Sequence, residues 1–214
     1  MTTSPRPKPR LRGASHGIAA FVALAAVGVL TVKAAPGTAT WAAALYGASL
    51  VALFTISSVY HWFHWEPGLR ARLRRLDHSA IFLLIAGTYT PVTLMVLAPD
   101  VAHRVLWWVW IGAAVGVVKS NLPIKTPRAV TAGLFIALGW TILLEWGAIQ
   151  AGLSATQLGL MGAGGAAYSL GAVAYATKRP DPWPRTFGYH EIFHLLVIVA
   201  AVFHFILVAQ LVVP

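Results

Sequence analysis

Seven apolar runs, at about 16–32, 41–61, 77–97, 104–120, 129–150, 155–177 and 189–213, recur along nearly the whole of this chain. No single motif constrains the fold as strongly. About 20 residues at a rise of 1.5 Å each cross the hydrocarbon core of a bilayer, so runs of this length read as transmembrane helices. Composition agrees: 58% of the residues are hydrophobic and 10% are charged, far from an ordinary soluble domain. The expectation is an all-α polytopic membrane protein, a seven-transmembrane-helix bundle over residues 15–214. The Pro-rich, basic segment 1–14 ("MTTSPRPKPRLR" and the two residues after it) precedes it as a disordered tail.

Charge sets the orientation. If the N-terminus is cytoplasmic and the spans alternate, only Lys33 and Arg104 face the outside, leaving fourteen of the sixteen Lys and Arg inside. The inside set includes Arg6, Lys8, Arg10, Arg12, the four arginines of 70–75, Lys119, Lys125 and Arg128. The C-terminus then lies outside. Trp41, Trp107, Trp108 and Trp146 fall near outer ends of spans and Trp62, Trp65 and Trp183 near inner ends, as an aromatic belt requires. The net charge of +10 is thus a topological signal, and nucleic acid is not an expected partner. The first span has a basic start followed by small residues, but its apolar stretch is long for a signal peptide, which favours a retained helix. The small-residue run "GLMGAGGAAYSLG" in the sixth span reads as a close-packing surface, and Pro91 as a kink whose freed backbone groups Thr88 or Thr90 can satisfy.

Ionisable groups inside membrane helices are costly and by default mark function. With this topology, His61 at the end of the second span, Asp77 and His78 at the start of the third, and His190 and His194 at the start of the seventh share one depth near the cytoplasmic face. His190 and His194 are one helical turn apart and can grip one ion, and Ser57 and His61 share a face in the same way. There are no cysteines, so any metal must be held by His, Asp or Glu. Three neutral imidazoles with an open fourth position suit a catalytic Zn²⁺. Asp77 is then a water-holding group or general base, and Ser57 an orienting group. Against this stands a plainer reading: a hydrogen-bonded histidine pair, with Asp77 paired to Arg74 and Arg75. His204 lies about 15 Å beyond His194 along the helix and is expected to hydrogen-bond within the bundle. His16 is a candidate for supporting the site, Glu145 an interfacial residue, and His64 and His103 loop residues.

The segment 190–194 also spells H-E-x-x-H. A zinc protease of that kind needs a third ligand. The offsets of the metzincin extension hold Val197 and Ala200, and no acidic residue follows Glu191. The working spacing is therefore H-x-x-x-H, with Glu191 turned away or in a salt bridge at the surface.

Three segments, "SSVYHWFHW", "RRLDHSAIFLLIAGTYTP" and "FGYHEIFHLLVIVAAVFHF", resemble in order the motifs of the hemolysin III family, which groups with the progestin and adiponectin receptors and more distantly with the alkaline ceramidases. The resemblance runs over essentially the whole chain. It implies a seven-helix fold in the cell membrane with one zinc near the cytoplasmic face. By that likeness His61, His190 and His194 are the ligands, Asp77 opening the third helix holds the water, and Ser57 completes the set. The entry "RLRGASHG" to the first helix diverges from the family pattern. The functional expectation is a zinc-dependent intramembrane hydrolase of amide or ester bonds, acting on a lipid-like small molecule that enters from the membrane lipids between helices. The alternatives are a lipid-responsive receptor with structural zinc, or a hemolysin or channel, for which the chain has no amphipathic pore-lining stripe.

Overall fold

In the computed structural model, which describes residues 9, 11–124 and 126–214, the chain is a bundle of helices: α1 (Ala14–Lys33), α2 (Thr38–Trp62), α3 (Pro67–Val96), α4 (Pro99–Asn121), α5 (Arg128–Gly139), α6 (Trp146–Gly152), α7 (Ala155–Thr177) and α8 (Tyr189–Val212). No strand occurs among the described residues, apart from one isolated bridge between Trp183 and Phe187. Local chemistry explains the starts. Pro67 and Pro99 stand at the first position of α3 and α4, where a missing N–H costs nothing. Ser154 and Gln157 cap α7 reciprocally, each side chain taking the other's backbone N–H (2.9 and 3.3 Å).

Six stretches are long and apolar enough to cross a membrane: Ala14–Lys33, Thr38–Trp62, Pro67–Val96, Pro99–Asn121, Arg128–Gly152 and Tyr189–Val212. α7 is long enough, but its glycines and alanines dilute its hydropathy. The burial pattern is inverted relative to a soluble protein. Ser57, His61, Asp77, Thr90, Thr93, His190, Glu191 and His194 are buried, while Phe21 (80% exposed), Val32 (86%) and Leu144 (84%) face outward. Water would penalise that arrangement and hydrocarbon rewards it. The protein is a multi-pass helical membrane protein.

Several expectations need correction. The third span does not open at Asp77. α3 begins ten residues earlier, because the arginine-rich turns 67–76 continue the helix beyond its apolar part. The fifth span is not one helix. It breaks after Gly139 into a 3₁₀ turn (Thr141–Glu145) and the short α6. Tyr89 of α3 makes the break possible: its hydroxyl donates to the Gly139 carbonyl (2.9 Å) and accepts from the Ile142 N–H (2.7 Å), replacing ladder bonds the break removes. Thr88 and Thr90 bond the carbonyls of Leu84 and Ala86, so neither hydroxyl takes the Gly87 carbonyl that Pro91 leaves. His103 lies in α4 and not in a loop. Of the expected tail, residues 1–8 and 10 lie outside the described residues, whereas 11–13 form a turn, with the Leu11 N–H bonded to the Thr186 carbonyl (3.4 Å), and α1 already begins at Ala14.

α8 packs on α1, α2, α3 and above all α7. Its approach to α7 depends on the small residues there. A Cβ on Gly164 would lie 2.3 Å from the His204 ring, so a larger residue is excluded unless the helices part. This packing places the start of α8 beside the end of α2 and the buried part of α3.

Candidate metal centre

His190 and His194 sit in the first two turns of α8 and His61 in the last turn of α2; all three are buried. One ring nitrogen from each lies within 4.8 Å of the others, and the Nε2 atoms of His61 and His190 are 3.2 Å apart. Zn–N bonds of 2.0–2.1 Å in a tetrahedron separate neighbouring nitrogens by about 3.3 Å, so the spacing fits a single ion. The donor chemistry fits as well: three imidazoles and no thiol suit a borderline divalent metal. The group can hold one metal ion.

Asp77 is buried on α3, with Oδ2 3.8 Å from His61 Nε2. No bond to Arg74 or Arg75 is made among the described residues, so the plainer pairing is not the one found. Ser57, one turn before His61, lines the same cavity as Asp77. The five residues singled out by spacing thus converge from three helices.

The neighbours of the group lie further from expectation. His16 stacks on the His194 ring (3.9 Å between centroids, 6° between planes), and its Nε2 contacts the His194 carbonyl at 3.3 Å. Its position at the start of an inward-facing helix hinted at this contact; the stacking did not follow from it. Glu191 is buried, not superficial. It caps α8 by accepting from the Gly188 N–H (2.9 Å) and pairs with Arg12 ahead of α1. This clasp fixes the first turn of α8, and with it both histidines. His204 contacts the Met161 carbonyl (3.3 Å), and Glu145 accepts from Arg104 (2.6 Å) at the far end of the bundle.

Two hollows meet at this centre. An apolar cavity of about 120 Å³ runs from Ser57, Asp77 and His194 toward Tyr89 and His204. Its wall includes Trp140 of the broken span, which bonds Ser169 of α7 (2.9 Å). A polar pocket of about 350 Å³ lies on the other side, against His61 and His190.

Fold and site together define a polytopic helical membrane protein with a buried three-histidine group beside an aspartate. The chain belongs to the haemolysin-III related family, whose model matches residues 5–205. It is 31% identical over 203 residues to Hemolysin-3 of Bacillus cereus, an alignment covering 94% of this chain and 90% of that protein. It is 28% identical over 170 residues to the human monocyte to macrophage differentiation factor (75% of this chain, 66% of that protein). It is also 31% identical over 152 residues to heptahelical transmembrane protein ADIPOR2 of Oryza sativa subsp. japonica (63% and 65%). The similarity thus reaches beyond bacterial proteins to an animal and a plant protein.

Proposed function

We propose that the protein is a seven-helix hydrolase of the cell membrane, N-terminus cytoplasmic and C-terminus outside, that uses zinc held by His61, His190 and His194 to cleave an amide or ester bond in a lipid-like substrate. Supporting the seven-span count are the length of α7, the "heptahelical" name of a relative and the placement of Lys and Arg. The observation that carries the proposal is the position of the histidine group, buried at the inner end of an apolar cavity with a carboxylate beside it. When bound, zinc supplies a Lewis acid and lowers the pKa of water toward neutrality.

The chain's own residues do the rest. His16, by stacking on His194, and the Arg12–Glu191 clasp hold the ligands in place. The Asp77 carboxylate takes the proton of the attacking water and returns it to the leaving amine or alkoxide. Ser57 orients Asp77 and the substrate. The cavity walls of α3, α5, α7 and α8 accept the chain and exclude bulk water.

The test is release of fatty acid from a panel of acyl-amide and acyl-ester lipids by purified protein, with and without chelation, beside His190→Ala. Chelator-sensitive turnover absent from the variant is expected. Equal turnover in both, or none on any lipid class, contradicts the proposal. The receptor reading is separated by a knockout rescue: it requires Asp77→Ala to rescue while His190→Ala does not.

A further inference from the structure

The polar pocket beside the histidines has a composition that hydrolysis of a neutral lipid leaves unexplained. Arginines from three parts of the chain line it: Arg12 ahead of α1, Arg70 and Arg74 on α3, and Arg128 at the start of α5. Among the described residues, the single carboxylate in its wall is Asp77. Two of the guanidiniums are occupied. Arg12 pairs with Glu191, while Arg128 donates to the Tyr189 hydroxyl (2.7 Å) and lies 5.5 Å over the Tyr175 ring. Arg70 and Arg74 have no carboxylate within 4.0 Å among the described residues. They sit at i and i+4 on one face of α3, a like-charge spacing that costs a helix stability unless an anion lies between them.

Positive charge at the cytoplasmic ends of helices is expected on topological grounds. That rule governs the number of cations and not their direction, and Lys serves it as well as Arg. Here the side chains converge on one concavity, and all four cations between residues 70 and 75 are arginine. Arginine's planar fork matches phosphate oxygens two at a time. The pocket also adjoins the apolar cavity: Asp77, Ile81, Phe135 and Phe193 line both.

We propose that this pocket binds a phosphate monoester, and that its source is the headgroup of an anionic lipid whose acyl chain occupies the apolar cavity. The dianion bridges Arg70 and Arg74 with Arg128 at its edge, and the headgroup connection passes the histidine group. As a statement of substrate class this rests on the hydrolase reading; as a statement of binding it does not.

The experiment uses the full chain in a neutral detergent and measures affinity calorimetrically for three probes at constant ionic strength: dioctanoyl phosphatidic acid, dioctanoyl phosphatidylcholine and inorganic phosphate. Phosphatidic acid is expected to bind at least about tenfold more tightly than either of the others, and Arg70→Gln/Arg74→Gln to weaken it by about tenfold to a hundredfold, the worth of one to two charge-assisted hydrogen bonds. Arg70→Lys/Arg74→Lys keeps the topological charge and guards against misinsertion; an intermediate loss is expected from it, because the bidentate geometry goes. Equal affinity for phosphatidic acid and phosphatidylcholine, or no effect of either double variant, overturns the proposal. Inorganic phosphate binding as tightly as phosphatidic acid overturns the lipid source and leaves a free-anion site. Wild-type protein that binds phosphatidic acid with the expected arginine dependence but hydrolyses no lipid refutes the enzyme reading and not this one.

Discussion

Tyr89→Phe removes one oxygen and leaves the ring in place, which isolates the bond that lets the fifth span break. In the wild-type protein the hydroxyl donates to the Gly139 carbonyl at 2.9 Å and accepts from the Ile142 N–H at 2.7 Å. Ile142 is buried, so its N–H is left without a partner in the variant. An orphaned buried donor costs about 1–3 kcal/mol, and the lost bond to Gly139 adds about 0.5–1.5 kcal/mol. Hydrocarbon offers no water to replace either one. The sum is about 3 kcal/mol, roughly a hundredfold in the unfolding equilibrium. Equilibrium unfolding in mixed micelles by titration with SDS, followed by helical circular dichroism, reads the stability. Amide exchange reads the location, with faster exchange expected in residues 139–146 and unchanged protection in α2 and α8. A loss below about 0.5 kcal/mol, or exchange that rises uniformly along the chain, refutes the assignment of Tyr89 as the support of the break.

Other substitutions probe other joints. Under the proposed hydrolase, Asp77→Asn removes the base and leaves the three histidines in place, so turnover should fall by about 10²–10⁴-fold while metal content is unchanged; a variant with lower metal content than the wild type contradicts a base role distinct from ligation. Arg12→Met strands the buried Glu191 carboxylate, with an expected destabilisation of about 3 kcal/mol that Arg12→Met/Glu191→Gln largely recovers; a double variant no better than the single one would show that the pair is not coupled. Gly164→Val drives a side chain into the His204 ring and should cost about 1–3 kcal/mol, and Gly164→Val/His204→Ala should restore part of it.

The apolar runs made the membrane class and most helix positions legible, because hydrocarbon thickness sets a length scale that hydropathy reports directly. The five residues of the candidate site were legible for a related reason. Polar side chains are rare in such runs, and i,i+4 spacing puts Ser57 with His61 and His190 with His194 on common faces. What escaped was information carried between distant segments. The break after Gly139 depends on a hydroxyl fifty residues upstream, and nothing in 129–150 itself signals it. The early start of α3 was hidden because its first turns are amphipathic and cationic, so hydropathy falls while helix geometry continues. Glu191 looked superficial because its partner, Arg12, lies in a segment that reads as a tail.

The proposed chemistry requires His61, His190 and His194 to hold zinc. The direct measurement is elemental analysis of the purified full-length protein beside His190→Ala, with amide exchange on both to confirm that the bundle is intact. About one zinc per chain in the wild type, lost in a folded His190→Ala, is the predicted result. Wild-type protein that carries no metal after purification in zinc-replete buffer would make the 3.2 Å contact between His61 and His190 a hydrogen bond between imidazoles, and would contradict the proposed hydrolase.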